Sequence, residues 1–307
     1  MSSTEKSYLY AGLSVLLWST VATSFKIGLR ELDYIQLIFY ASVTSVVVLL
    51  IILLLQGKTT WLMRQSSGQW LNSILLGAFN PLFYYLVLFK AYSLLPAQLA
   101  QPLNMVWPLV LSLLSVPLLG QRIGRWSMAG LFISFAGVVC ISSQGGLSGF
   151  QHTSLTGVLL ALGSSVIWAL YWILNVRDRR DGVVKLFLNF FFGLIFLTIA
   201  VWLFSDFRIN IGSGLLAAIY IGVFEVGITY VFWMKAMQLS TNNAKIGNLV
   251  FLTPFLSLIF IRFILNETLF ITTFIGLIFI VAGILMQQLD RKTKKLHESK
   301  TVENIGH

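Results

Sequence analysis

Charged side chains are scarce in this sequence: Asp, Glu, Lys and Arg together make up 10% of its 307 residues. A soluble domain carries about 25% charged residues, whereas this chain is 57% hydrophobic and has a mean hydropathy of +0.84. We therefore expect lipid to surround most of the protein. The composition predicts a multi-pass membrane protein, and we expect it in the inner or plasma membrane.

Cysteine and histidine are also rare. The one cysteine, Cys140, excludes an intrachain disulfide, a multi-cysteine zinc site and an iron–sulfur cluster. The three histidines (His152, His297 and His307) all lie outside the apolar stretches, so they are not candidates for buried haem or metal ligation. We predict neither a cofactor nor a metal.

Motifs for nucleotide binding and for hydrolysis are missing as well. The sequence contains no G-x-x-x-x-G-K-[ST] run, no G-x-S-x-G and no H-E-x-x-H. An intramembrane hydrolase or transferase therefore has no support, and we expect a protein that is not an enzyme.

Ten apolar stretches approach the roughly 20 residues that a helical span needs, at about 8–29, 34–55, 70–92, 97–119, 126–143, 155–176, 184–204, 212–237, 245–265 and 271–289. An even number of spans puts both termini on one side. With the N-terminus inside, 16 of the 21 basic residues fall on the inner side and five remain outside (Lys26, Arg30, Lys90, Arg208 and Arg262). This bias predicts cytoplasmic termini, and it explains the net charge of +10 without a nucleic-acid partner.

The two halves of the chain resemble each other. Gly77–Leu95 aligns with Gly222–Ser240 at an offset of 145, and after a one-residue slip Pro108 meets Pro254. Each half holds five spans, and an odd number means that the second copy enters from the opposite side. We predict an all-α integral membrane protein of ten transmembrane helices, built as two inverted five-helix repeats at 8–143 and 155–289 with a cytoplasmic tail at 290–307.

Several short runs resemble the drug/metabolite transporter superfamily, with two EamA-type domains covering nearly the whole chain. They are the Trp18-Ser19 pair, the run at Gly120–Arg122 and the run at Asn266–Thr268. The family usually has Gly-Glu at the latter two points, where this chain has Gln121 and Asn266-Glu267. Asn104-x-x-Trp107-Pro108 and Ile167-Trp168-Ala169 resemble bacterial exporters of aromatic amino acids and metabolites. The resemblance implies a secondary transporter that exports an amino acid or a related small metabolite.

Glu225 is the one acidic residue in the middle of an apolar stretch. A lone carboxylate at bilayer depth is costly when charged and usually faces a cavity or a partner. Glu225 is therefore a candidate proton-coupling residue. The structural alternative is a protonated or lysine-paired glutamate that holds two helices together. Its repeat mate is Asn80, so both halves are polar at the middle of their third helix.

The fourth span carries a polar stripe. Gln101, Asn104 and Pro108 follow i, i+3, i+7 spacing and are predicted to share one helix face, with Gln98 beside it. Freed carbonyls near the prolines and the amide side chains would suit a polar or zwitterionic ligand. Hydrogen bonding between helices is the alternative. Asn248 and Pro254 repeat a thinner version in the ninth span.

Aromatic residues in the interior of the spans could wall a cavity and stack on a ligand, although for any single one of them packing is the stronger explanation. The predicted substrate-binding set is Trp18, Asn80, Tyr84, Gln98, Gln101, Asn104, Trp107, Trp168, Tyr171 and Asn248. Lys90 and Lys235 are gating candidates, with snorkelling to the interface as the alternative. Gly130, Gly137, Gly276 and Gly283 favour close helix contacts.

The expected function is secondary transport of a small organic metabolite by alternating access. A flippase for a lipid-linked precursor and a metabolite uptake permease are the alternatives. The expected partners are a small-molecule substrate and the lipid bilayer, with protons as a candidate coupling ion; the oligomeric state is left open.

Overall fold

A computed structural model of the chain describes residues 2–119, 124–146, 153–208, 211–240 and 243–286. All regular structure in these ranges is helical, and nine of the described helices are long and apolar enough to cross a membrane. They are α1 Ser3–Gly28, α2 Tyr34–Leu55, α3 Ser67–Leu94, α4 Ala97–Leu118, α5 Arg125–Ser142, α6 Leu155–Arg177, α7 Gly182–Phe204, α8 Ser213–Leu239 and α9 Ile246–Ile264. A shorter apolar helix, α10, follows at Ile271–Met286. The predicted tail at 290–307 and the motif residue Gln121 lie outside the described residues.

Several of the helices begin where a polar side chain caps them. Ser66 and Gln69 form a reciprocal capping box that starts α3 at Ser67, three residues before the predicted start at 70. Asp33 caps α2 and Asp181 caps α7, each by accepting hydrogen bonds from two backbone N–H groups. These caps satisfy N–H groups that no helix can pair internally.

Four of the helices are interrupted, and the interruptions fall in corresponding pairs. α3 contains a π-helical segment at Ala78–Phe83, and α8 contains one at Gly222–Gly227. In α4 the first helical segment ends at Asn104 and a second begins at Trp107, while α9 passes through a 3₁₀ turn at Leu249–Leu252.

The break in α4 corrects one prediction. A continuous helix would place Pro108 on the same face as Gln101 and Asn104, but the helix stops between Asn104 and Trp107. Pro108 has no N–H and crowds the residue before it, so the chain restarts its hydrogen bonding from Val106, whose carbonyl accepts from Leu109 N at 2.9 Å. Pro254 lies at the same place in α9, at the start of the segment Thr253–Ile264.

Packing crosses between the two halves of the chain. α1 packs against α8 and α9, and we call these three the first helix group; α6 packs against α3 and α4, and these three form the second helix group. α2 and α7 pack against each other. The first helix of each half thus packs against helices of the other half. The interior of the molecule therefore lies where the two helix groups meet.

α5 and α10 cross at glycines, as the sequence predicts. A Cβ added to Gly137 would collide with the backbone carbonyl of Gly276, and a Cβ added to Gly276 would collide with that of Gly137. Gly283 lies equally close to the carbonyl of Gly130. The absence of side chains therefore lets these two backbones touch, as is usual where membrane helices pack tightly.

Candidate functional site

Glu225 lies half-buried in the π-helical segment of α8. Its Oε1 accepts a hydrogen bond from the Tyr85 hydroxyl at 3.0 Å, and its backbone carbonyl accepts one from Trp18 Nε1 at 3.1 Å. In the described part of the chain no lysine or arginine forms an ion pair with Glu225. The contacts found therefore give no support to the lysine-paired alternative.

Aromatic rings extend from this carboxylate in both directions. On the side of the first helix group, the Trp18 ring meets Tyr230 edge to face at 5.9 Å and lies 5.3 Å from Trp233. On the other side, the Tyr85 ring lies 4.7 Å from that of its neighbour Tyr84. Glu225 thus lies where the two helix groups meet.

The second helix group contributes a stacked aromatic wall. The Tyr84 ring stacks on Trp168 at 4.5 Å, and Trp168 stacks on Tyr171 at 5.4 Å. The Tyr84 hydroxyl donates to Asn104 Oδ1 at 3.3 Å, and Asn104 Nδ2 donates to Ser164 Oγ at 2.8 Å. Six of the predicted residues therefore form one connected set: Trp18, Tyr84, Asn104, Trp168, Tyr171 and Glu225.

Asn80, the repeat mate of Glu225, lies beside Tyr171 of this aromatic wall. It sits in the π-helical segment of α3 with non-helical backbone angles (φ −146°, ψ 112°) and is 1% exposed. Its side chain and that of Asn189 both lie near the Tyr171 hydroxyl, and α7, which carries Asn189, packs against the π-helical segment that carries Asn80. The sequence patterns did not indicate Asn189 as a site residue, although it is the one amide in α7.

Gln98 is placed away from this set. Its Nε2 donates to the Thr268 carbonyl at 2.8 Å, and its Oε1 accepts from Phe270 N and from Thr273 Oγ1, each at 3.2 Å. Both polar atoms of the amide are thus used in holding α4 to the segment that joins α9 and α10. We therefore leave Gln98 out of the proposed ligand site.

The remaining predicted residues are more dispersed. Gln101 is half-buried on the first segment of α4, and its Oε1 is buried without a hydrogen-bond partner. Trp107 and Asn248 are half-buried beside the breaks in α4 and α9. The two gating candidates each lie over an aromatic ring near a helix end, with Lys90 Nζ 4.9 Å from the Tyr34 ring and Lys235 Nζ 5.6 Å from the Tyr10 ring.

Two charged residues that we did not single out as functional tie the helix groups together at one end of the molecule. The carboxylate of Glu267 accepts from the backbone N–H groups of Ala97 (2.9 Å) and Gln98 (3.2 Å), which are the first of α4. Lys26 Nζ donates to the carbonyls of Tyr92 (2.8 Å) and Leu95 (3.0 Å), at the end of α3. An acid at a helix N-terminus and a base at a helix C-terminus are both favourable.

These features are typical of membrane transporters, whose sites lie mid-membrane between helix groups and are formed by interrupted helices. The sequence profile of the EamA-like transporter family matches residues 5–143 and 155–287, so the chain belongs to that family. The resemblance drawn from Trp18-Ser19 and the other runs is thereby confirmed.

Two relatives and one solved structure extend this result. A protein of Archaeoglobus fulgidus named as a transporter is 29% identical over 92% of this chain and 97% of its own length. The aromatic amino acid exporter YddG of Ancylobacter novellus is 30% identical over 66% of this chain and 70% of its own length. One crystal structure superposes with a TM-score of 0.65 at 25% identity, covering 92% of this chain and 97% of that chain.

Proposed function

We propose that this protein is a secondary transporter that moves a small organic metabolite across the cell membrane by alternating access. One observation carries the proposal: a carboxylate, amides and stacked aromatic rings form a connected interior site where the two helix groups meet. A site held from two sides can be opened to either face when one group rocks against the other.

The proposed architecture is ten spans in two inverted five-helix repeats, at 8–143 and 155–289, with both termini in the cytoplasm. The pairing of interruptions supports it, because α3 corresponds to α8 and α4 to α9. The crossed packing supports it too: the contacts of α1 with α8 and α9 mirror those of α6 with α3 and α4.

The proposed substrate is an amino acid, and aromatic ones are the first to test. The Tyr84–Trp168–Tyr171 stack offers flat apolar faces for a ring, and the amide of Asn104 and the carboxylate of Glu225 offer groups for a polar end. The relative YddG is named for the export of aromatic amino acids. We therefore propose export as the physiological direction.

Glu225 is the proposed proton-coupling residue. Its hydrogen bond to Tyr85 can be kept in either protonation state, because a protonated carboxyl group still has an acceptor oxygen. A group that holds a proton in one state of the transporter and releases it in the other couples proton flow to solute movement.

We expect Glu225→Gln to abolish the accumulation of L-phenylalanine that a pH gradient drives in proteoliposomes, while exchange of labelled for unlabelled L-phenylalanine continues. The glutamine can still accept from Tyr85, so folding is preserved. Glu31→Gln is the matched control, because Glu31 is an acid with hydrogen-bond donors outside the spans. Unchanged pH-driven accumulation in Glu225→Gln would remove Glu225 from the mechanism, and lipid movement without solute exchange would favour a flippase.

A further inference from the structure

Asn189 is a fully buried amide whose polar atoms have no hydrogen-bond partner of good geometry. The residue is 0% exposed, and both Nδ2 and Oδ1 are unpaired. Asn80 Oδ1, which also lies near the Tyr171 hydroxyl, is likewise buried and unpaired.

Burying an unpaired polar group is unfavourable, and the repeat indicates that packing does not require polar groups here. Asp33 and Asp181 are the N-caps of α2 and α7, so Asn189 corresponds to Ala41. By the match of Trp18 to Trp168, Tyr171 corresponds to Val21. The other half of the protein fills both of these positions with apolar side chains.

We propose that Asn80, Asn189 and Tyr171 form a binding subsite for an uncharged group of the solute that both donates and accepts hydrogen bonds, such as a hydroxyl or a carboxamide. This inference rests on the proposed function. A carboxylate would leave Asn189 Oδ1 unpaired, and an ammonium group would leave Nδ2 unpaired. A group of mixed character satisfies both ends of the amide.

The position of the subsite indicates which part of the solute it contacts. Tyr171 stacks on Trp168, so the subsite lies at the end of the aromatic wall, beyond Tyr84 as seen from Glu225. A solute ring held along the wall would direct a substituent at its far end toward Asn80 and Asn189. The subsite therefore selects for a hydroxyl on the side chain.

Matched ligand pairs test this selection in the purified full-length protein. L-tyrosine and L-phenylalanine differ by one hydroxyl, and L-threonine and L-valine differ by a hydroxyl in place of a methyl. A site that hydrogen-bonds a hydroxyl rejects the analogue without it. We expect the wild type to bind the hydroxylated member of at least one pair about tenfold more tightly, a ratio equivalent to one hydrogen bond of about 1.4 kcal/mol.

Asn189→Leu, which keeps the branched shape of the side chain, is expected to bring that ratio close to one by weakening the hydroxylated ligand. Ser42→Ala is the matched control, because Ser42 Oγ is also buried and unpaired but lies on α2. The control should leave the ratio unchanged.

Thermal unfolding separates the subsite from a structural role. Asn189→Leu should unfold at or above the wild-type temperature, whereas Asn104→Leu should unfold earlier because Asn104 bonds both Tyr84 and Ser164. A lower unfolding temperature for Asn189→Leu would overturn the subsite. Equal affinities within both pairs in the wild type would overturn the subsite but not the amino-acid proposal. If none of the four amino acids binds, the amino-acid proposal and the subsite are both overturned.

Discussion

Asp178 and Arg180 form a buried ion pair at the turn between α6 and α7. Arg180 Nη2 lies 2.6 Å from Asp178 Oδ2, and the two side chains are 6% and 4% exposed respectively. Arg180 also donates to Gln65 and Ser73, which anchors the turn to the start of α3. Burial raises the pKa of the Asp178 carboxyl, but hydrogen bonds and charge attraction from Arg180 outweigh burial, and the net pKa lies below its ordinary value of 3.8.

We expect Asp178→Asn to destabilise the protein by roughly 3 kcal/mol, because it leaves Arg180 buried without a counter-charge. Since the carboxyl has a lower pKa in the folded state, its contribution is fully present above the ordinary value of 3.8 and is lost as pH falls through the folded one. Below about pH 4 the wild type should therefore lose stability as Asp178 is protonated. The variant has no carboxyl at this position, so this part of the pH dependence should be absent from it. Unfolding temperature measured against pH checks both expectations.

Lys58→Ala provides the matched control for this pair. Lys58 bonds Asp181 at 2.7 Å, but both side chains are partly exposed, and such pairs contribute about 0–1 kcal/mol. If Lys58→Ala loses as much stability as Asp178→Asn, burial does not make the Asp178–Arg180 pair more important for stability than a partly exposed pair.

Residue-scale predictions from the sequence succeed where a residue is chemically unusual for its surroundings. Glu225 stands out as the single mid-span acid, and Asn104 and Trp168 stand out by their motifs; the structure brings all three into one connected set. Asn189 and Glu267 were missed as site residues because their importance comes from contacts with parts of the chain that are distant in sequence. One amide among aromatic residues, or one acid in a short loop, gives no sign of which distant backbone it will meet.

Helix positions follow from hydropathy because a span must be about 20 apolar residues long, and the predicted stretches agree with the described helices to within a few residues. In the sequence, Pro108 indicates the interruption of α4.

The sequence gives no comparable indication of the π-helical segment of α8, because Gly222–Gly227 contains no proline. Gly222 instead lies against the Ala41 carbonyl and Thr44. Ser45 Oγ donates a hydrogen bond to the Gly222 carbonyl at 3.1 Å. Packing against α2 therefore accompanies the irregular turn.

The glycine crossing of α5 and α10 gives a prediction for a helix pair. We expect Gly137→Ala to cost about 1–3 kcal/mol, because its Cβ would press on the Gly276 carbonyl and the two backbones would have to separate. Gly163→Ala, in α6, is the control: a Cβ there meets nothing within 4 Å, and replacing glycine inside a helix favours folding by about 0.5–1 kcal/mol. Thermal unfolding in one detergent compares the two, and an equal response would show that the close approach is not needed for stability.

At the scale of the whole molecule, polar contacts join the two helix groups at one face. Glu267 and Lys26 belong to the first helix group or the loop that follows it, and they bond the ends of α4 and α3 in the second. At the opposite face Ser3 bonds α8 from α1, and Arg180 bonds α3 from the turn after α6, so each of these contacts stays within one group. These hydrogen bonds therefore hold the two helix groups together at the Glu267 face, so the structure is closed there. The proposed topology places this face outside the cell.

Opening at this face requires these bonds to break, so weakening them should favour the outward-open state. Loss of a helix N-cap costs about 1 kcal/mol, which shifts a two-state population about fivefold. With a reporter cysteine at Asn104→Cys in a Cys140→Ser background, we expect Glu267→Ala to raise labelling by an impermeant thiol reagent about fivefold in right-side-out vesicles. Glu31→Ala is the control, because Glu31 caps α8 from the end of α1, within one group. An equal rise in that control, or no rise in Glu267→Ala, would mean that these bonds do not set the balance between the two states.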